Sequence, residues 1–517
     1  MKKSVKILVL ALVAVLSFTT LFTECGTKGN TDANSTTVAA SATESKASEQ
    51  TTEAKQELQP FEIIMAYPGD EYKDTKAVQD AMSKITQAKI NATVKLMPIG
   101  WAAWAQQTNL MLAGNEKIDV MFTSNYFNYN SVVTKGQVIQ IEDLVEKYGQ
   151  DIKKVVEPDI LACSNIGGHM YAVPSMRDFA ADFGAVMRKD LVEKYKIDLS
   201  SLKTYSDLTA VFKTIKDNEP DVMPIVKGGD ITTFVEQVVS GTFDRLDNWF
   251  GVLPMNSTDL KVVNMYETKE YADALNLVRG WFKAGYISKD AATSKEQGVD
   301  VVKAGKAFSI LVPMKPGYEM QVSTQSATPM VAARFTPPVT NTSNISNVMM
   351  SIAKNTGDKE RSMMFLNLLY VDSELVNLFD NGIEGVDYVK KSGNIIDFPE
   401  GVNASNTGYI SCNWMAGNNF LSYIWNGDDP ELWTKMEQFN KSSVRSKALG
   451  FSFKVDPVKT EVAAVANVQS QYKMGLETGT VDPKVLPELI SKLKAAGIEK
   501  IIAEKQAQLD EWAKTSK

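Results

Sequence analysis

FEIIMAYPGDEYKDTKAVQDAMSKITQAKINATVKLMPIGWAAWAQQTNLMLAGNEKIDVMFT, residues 61–123, decides the fold. FEIIMAY (61–67) is a short apolar run of strand type, and Val78, Met82 and Ile85 then recur at i, i+4, i+7, the period of a helix buried on one face. TVKLM (93–97) alternates as a half-buried strand. Trp101 to Ala113 reads helical and stops at Gly114, and KIDVMFT (117–123) is again a strand. Strand, helix, strand, helix, strand implies βαβ units and a mainly parallel sheet, an α/β fold. The alternation continues downstream. SDLTAVFKTIKDNEPDVMPIV (206–226) runs from a Ser/Asp cap through helix into strand, and TKEYADALNLVRGWFKAGYIS (268–288) sets Tyr271, Leu275, Val278 and Trp281 on one face before Gly285. Two later helices open on Asp429-Pro430-Glu431 and Asp482-Pro483-Lys484, where Asp caps free N–H groups and Pro fits the first turn. Ile498, Ile501, Leu509 and Trp512 make the last helix amphipathic.

Upstream of the fold, Lys2, Lys3 and Lys6 precede an apolar run from Ile7 to Phe22, the pattern of a secretory signal over residues 1–24. At roughly sixteen residues the run is short of the ~20 that a membrane-spanning helix needs. Cys25 follows, before Gly26, where a bacterial lipoprotein signal places the cysteine that receives lipid. Phe22 and Glu24 stand where such signals usually have Leu and a small residue. Residues 26–59 are almost wholly Ser, Thr, Ala, Glu, Lys and Gln, so 25–60 reads as a lipidated cysteine and a flexible tether with a reach of about 30 Å.

Composition then removes whole classes of function. Without residues 1–24 the chain holds 52 basic and 61 acidic residues, and a net −9 with no basic block argues against nucleic-acid binding. Cys163 and Cys412 are the other cysteines, and reduced or paired they add little to holding so long an exported chain, which must rely on its core. A single histidine, His169, excludes a Ser-His-Asp triad or a multi-histidine metal site at the usual spacings, and reads as a turn residue after Gly167-Gly168. Walker, nucleophile-elbow and HExxH motifs do not occur. A pair of carboxylates of glycosidase type stays open, since any chain this acidic offers candidates.

Aromatic and amide side chains form the informative constellation. A sugar lays C–H faces on aromatic rings and presents hydroxyls that both donate and accept. Trp281, Trp433 and Trp512 fall at core spacing. Trp101 follows Pro98-Ile99-Gly100 at a strand-to-helix turn, the end of an open sheet where ligands bind. TSNYFNYNS (123–131) leaves a strand end with Asn125, Tyr126, Phe127 and Tyr129. Trp414 and Trp425 lie in CNWMAGNNFLSYIWNGDDP (412–430), among Asn413, Asn418, Asn419 and Asn426.

GHMYAVP (168–174), NGIEGVDYV (381–389), WMAGNNFLSYIWNGDDPELW (414–433), ALGFSFKVDPVKTEVAAVANV (448–468) and the stretch 477–512 together resemble the extracellular solute-binding lipoproteins of bacterial carbohydrate ABC importers, in the branch common in Gram-positive bacteria. The similarity runs from about residue 61 to 514, with a C-terminal module at 448–514. It implies a two-lobe periplasmic-binding-protein-like (type II) fold closing on a ligand in the cleft. Lobe one is expected at 61–178 plus 310–380 and lobe two at 179–309 plus 381–517, with crossings near 174–179, 311–317 and 381–385. The resemblance points to the cleft and not to single contacts; Trp101, Tyr126, Arg177, Asp178, Glu384, Trp414 and Asn418 are the residues expected to touch ligand there. Arg177 and Asp178 have an ion pair as their alternative, and Glu384 the support of its glycine turn. A monomeric, non-enzymatic receptor is implied, held to the membrane by lipid alone, with an oligosaccharide ligand, ABC permease subunits as partners, and no metal or organic cofactor. A receptor for peptides or other polar solutes and an extracellular glycoside hydrolase are the alternatives.

Overall fold

The computed structural model describes residues 58–229 and 231–515. The signal, Cys25 and the tether up to residue 57 lie outside the described residues.

Phe61–Pro68 forms the expected strand, its last six residues buried, as a central strand covered on both faces must be. Ala92–Ile99 and Val120–Thr123 pair parallel to it on either side, joined through the helices Thr75–Ile90 and Trp104–Ala113. Thr75–Ile90 ends at Asn91, whose left-handed backbone (φ 47°) returns N–H groups to the last turn. Met349–Ile352 and Val173–Pro174 extend the sheet antiparallel, giving five strands. Asp119, fully buried, ties this layer together. It accepts the Ile64 N–H at 2.8 Å on one oxygen, and the Thr356 hydroxyl at 2.8 Å and the Gly357 N–H at 3.1 Å on the other.

A second sheet of four strands runs Met330–Arg334, Asp182–Arg188, Ala307–Met314, Met223–Val226, with only the last pair parallel. Its first two strands approach so closely at Gly184 that an added Cβ would lie 2.0 Å from the Ala333 carbonyl oxygen. Each sheet has its own hydrophobic core. One contains Ile63, Met82, Phe122, Trp104 and Phe379, the other Phe212, Phe234, Trp281 and Phe308.

The boundaries of the lobes differ from those expected. Residues 310–334 belong to the second sheet, because Ala307–Met314 lies between two of its strands. The Pro and Gly of 311–317 resemble a hinge, yet Pro313 costs this sheet no bond. Its partner Phe183 sends its N–H to the Thr336 hydroxyl and takes the Phe335 N–H on its carbonyl. Residues 381–416 stay with the first core, to which Tyr409, Met415 and Ala416 contribute. The turn at 381–385 is held by Asp387, which accepts the Ile383 N–H at 2.8 Å, and is no crossing.

The chain passes between the two cores near 175–181, 335–341 and 440–446. These crossings lie side by side. Ala181 bridges Val339, and Val339–Thr340 pairs parallel with Val444–Arg445. Asn440 pins the first of them, accepting the Phe179 and Ala180 N–H groups at 3.0 and 3.1 Å and donating to the Arg177 carbonyl at 2.6 Å.

The C-terminal helices Lys459–Glu477, Leu486–Ala495 and Ile498–Thr515 pack on the second core through Val465, Leu476, Leu489, Leu493, Ile501 and Leu509. Lys505 is fully buried and donates to the carbonyls of Arg245, Asn248 and Gly251, fastening the last helix to that loop. Cys163 and Cys412 are both free thiols.

Candidate functional site

Trp101, Tyr126, Arg177 and Trp414 lie at the C-terminal ends of the first sheet, beside the 175–181 crossing. Trp101 leaves the end of Ala92–Ile99, and Tyr126 and Phe127 follow Val120–Thr123. Ser124 caps that short turn by accepting the Tyr126 N–H at 3.0 Å. Trp414 arrives from far along the chain. The backbone at 417–419 lies against Met176, which donates its N–H to Gly417 and accepts that of Asn419 at 2.8 and 2.9 Å. Gly417, at φ 67°, passes so near Leu369 that a Cβ would lie 2.3 Å from its carbonyl oxygen. The close approach sets Trp414 beside the crossing.

The resulting platform is continuous. Trp101 lies 6.0 Å from Trp414 and 6.1 Å from Phe127 at tilts of 34° and 31°, with Phe122 set edgewise behind. Trp101 remains 41 % exposed and Tyr126 81 % exposed, although both are large aromatic side chains. Tyr126 meets Phe127 edge to face. Arg177 lies over the Trp414 ring at 5.6 Å, and its Nε, buried, makes no hydrogen bond. The arrangement offers flat apolar faces with a desolvated donor at one edge, the pairing that a C–H face bearing hydroxyls requires.

Ion pairs join this platform to the second lobe. Arg177 pairs with Asp178 at 2.7 Å, and Asp178 with Lys315 at 3.0 Å. The Lys315 carbonyl accepts from Arg334, which also grips Asp182 through both carboxylate oxygens and reaches Glu319. Burial lifts the Asp182 carboxyl above its ordinary value, against the opposing pull of Arg334. Asp178 thus has both carboxylate oxygens in ion pairs, and Arg177 and Asp178 form the pair that was the alternative to ligand contact.

Two expected residues are engaged elsewhere. Asn418 is buried. Its amide oxygen accepts the Phe420 N–H at 3.1 Å and its nitrogen donates to the Tyr370 carbonyl at 3.3 Å, so it caps and anchors the Trp414 segment. Glu384 is half-exposed and pairs with Lys390 at 2.9 Å, beside Tyr388 and Tyr423. Of the other aromatic residues in the amide-rich stretches, Tyr129 is core, its hydroxyl on the Ser164 carbonyl, and Trp425 stacks on Phe398 at 4.4 Å. Trp433 and Trp512 are half-buried rather than fully enclosed. Sequence alone does not single out Lys315 or Asn440: Lys315 stands in a Pro/Gly stretch that reads as a hinge, and a lone amide late in a helix carries no signal. Among the described residues no group of three or more His, Cys, Asp or Glu side chains is placed to hold a metal ion.

Residues 69–374, more than half of the chain, match the bacterial extracellular solute-binding proteins. The chain belongs to this family. Residues 447–514 match a domain of unknown function, which is the module of three C-terminal helices. A carbohydrate ABC transporter substrate-binding protein of Streptococcus pneumoniae is 30 % identical over 484 residues, 88 % of this chain and 91 % of that protein. The crystal structure of the N-glycan transport solute binding protein NgtS of the same organism superposes with a TM-score of 0.79 at 29 % identity, over 89 % of this chain and 100 % of that one. NgtS in complex with Man5GlcNAc, at the same identity and coverage, gives 0.66. The two-lobe binding-protein fold expected from sequence is therefore the fold of this chain.

Proposed function

We propose that the protein captures an oligosaccharide between its lobes and delivers it to the permease of an ABC importer. The Trp101–Phe127–Trp414 platform at the lobe crossing, with Arg177 at its edge, carries this reading. Micromolar capture needs about −8 kcal/mol, and with hydrogen bonds worth ~1 kcal/mol net, stacking on several rings must supply much of it. Trp101, Tyr126, Arg177 and Trp414 make the contacts, while Asp178 holds Arg177 in place. The relative's complexes with Man-GlcNAc saccharides support the same ligand class. That NgtS fits differently with and without a named ligand, at one level of identity, supports lobe movement on binding.

The protein acts as a receptor and not as a catalyst, anchored at the extracellular face through a lipid on Cys25, and works as a monomer. Closure is stabilised by the ligand's greater affinity for the closed form. Calorimetry with Man1GlcNAc and Man5GlcNAc, paired with small-angle scattering, tests the reading. Heat with compaction is expected; neither, across a broad saccharide panel, would overturn it. Release of sugar from a labelled oligosaccharide, abolished by one Asp or Glu substitution, would establish a hydrolase instead.

A further inference from the structure

A cavity of about 890 Å³ lies between the first lobe and the C-terminal module, within the range of about 300–1,000 Å³ typical of small-molecule sites. It shares no lining residue with the Trp101–Trp414 platform. Asn165, Gly167 and Gly168 belong to its first-lobe wall, and Phe451, Lys454 and Trp512 to the module. The Asn165 side-chain oxygen is buried and accepts no hydrogen bond, a state that a native fold rarely leaves unmet. Across from it, Trp512 packs edgewise on Phe451 at 6.1 Å, and the exposed Lys454 brings its ammonium within 3.4 Å of the Cβ position at Gly167. The positive-φ turn at Gly167 and Gly168 keeps the wall free of side chains, and nothing lies within 4 Å of a Cβ at Gly168.

Charge decides the ligand class. Asp159 is taken by Arg445, Glu511 by Lys514 at 2.7 Å, and Lys447 by the Thr258 carbonyl at 2.7 Å. Counted over the lining, Asp159 and Glu511 balance Lys447 and Lys454, so the lining side chains sum to no net charge and single out neither a phosphate nor a cation. An aromatic side chain, an unmet acceptor and a donor suit a neutral polyhydroxyl compound.

We propose that this cavity is a second saccharide site, formed jointly by the first lobe and the C-terminal module, and accommodating a short neutral saccharide. A C–H face lies against Trp512, the Asn165 side chain turns to present its oxygen to a hydroxyl, and Lys454 donates to a hydroxyl or ring oxygen. The ligand class rests on the reading of the cleft given above; the existence of the site does not. Because its walls come from both lobes, filling it biases their arrangement.

Calorimetry of the full chain with Man1GlcNAc tests the site. Wild type is expected to bind two equivalents, one of them weakened roughly five- to thirtyfold in Trp414→Ala and the other weakened at least tenfold in Asn165→Leu or Lys454→Ala. A single equivalent in wild type, weakened only in Trp414→Ala, overturns the second site and leaves the cleft standing. A single equivalent weakened in Asn165→Leu or Lys454→Ala but unchanged in Trp414→Ala supports the cavity and overturns the cleft. No binding overturns both. Should Asn165→Leu unfold, Lys454→Ala, an exposed position, decides. Crystals grown with saturating saccharide that show the cavity unfilled overturn the proposal independently.

Discussion

Trp414 has both a ring neighbour in Trp101 and a cation over it in Arg177, so its removal strips the platform of its centre. Trp414→Ala is expected to weaken oligosaccharide binding by about 1–2 kcal/mol, roughly five- to thirtyfold in Kd, measured by calorimetry. Glu384→Ala should leave Kd unchanged and cost under about 1 kcal/mol in chemical denaturation, since its exposed pair with Lys390 is worth little. Asn418→Ala removes a buried cap and is expected to destabilise by about 1–2 kcal/mol. The aromatic residues were legible because strand ends can be read from periodicity, and a large ring just past a strand end has few ways to be buried. The partners of Asn418 and Glu384 were not legible, because sequence displays a residue's chemistry and not which of its bonds the fold already makes.

Single elements carry two further expectations. Asn440 makes three hydrogen bonds to the 177–180 backbone, and Asn440→Leu leaves those groups unmet. A loss of about 2–3 kcal/mol in urea midpoint analysis is expected. In the Lys459–Glu477 helix, Glu477 ends fully enclosed, accepting from the Thr233 and Tyr271 hydroxyls, and burial pushes its carboxyl up from 4.5 to about 7. Between those values the folded protein keeps a proton that the unfolded chain has lost. The stability from this group is therefore complete below pH 4.5 and declines as pH rises towards 7. Glu477→Gln should flatten that decline, raising stability at pH 8 relative to wild type by up to about 3 kcal/mol while changing little at pH 4.5. Thermal melts across that range provide the check. The βαβ opening was readable because one apolar period per element sufficed. The passage 311–317 was not, because Pro and Gly mark a turn locally, whereas Phe183's bonds to Phe335 and Thr336, which make Pro313 harmless in a strand, lie far away in sequence.

At the scale of the molecule, Arg445 reaches from the third crossing to Glu157 and Asp159 of the first lobe. Partly exposed pairs of this kind contribute about 1 kcal/mol or less. Arg445→Ala should thus shift the ligand-free population away from this arrangement by up to about fivefold, visible in small-angle scattering and mimicked in part by raised salt. The three crossings themselves set how that shift proceeds. Bonded edge to edge through Ala181, Val339 and Val444, they form one narrow ribbon instead of three independent tethers. A ribbon flexes across its plane but resists shear and splaying within it, which reduces the relative motion of the lobes to little more than a single rotational degree of freedom. One pair of fluorophores spanning the cleft would then report the entire reaction coordinate, and a second pair at a different bearing would add only a rescaled copy of the same signal.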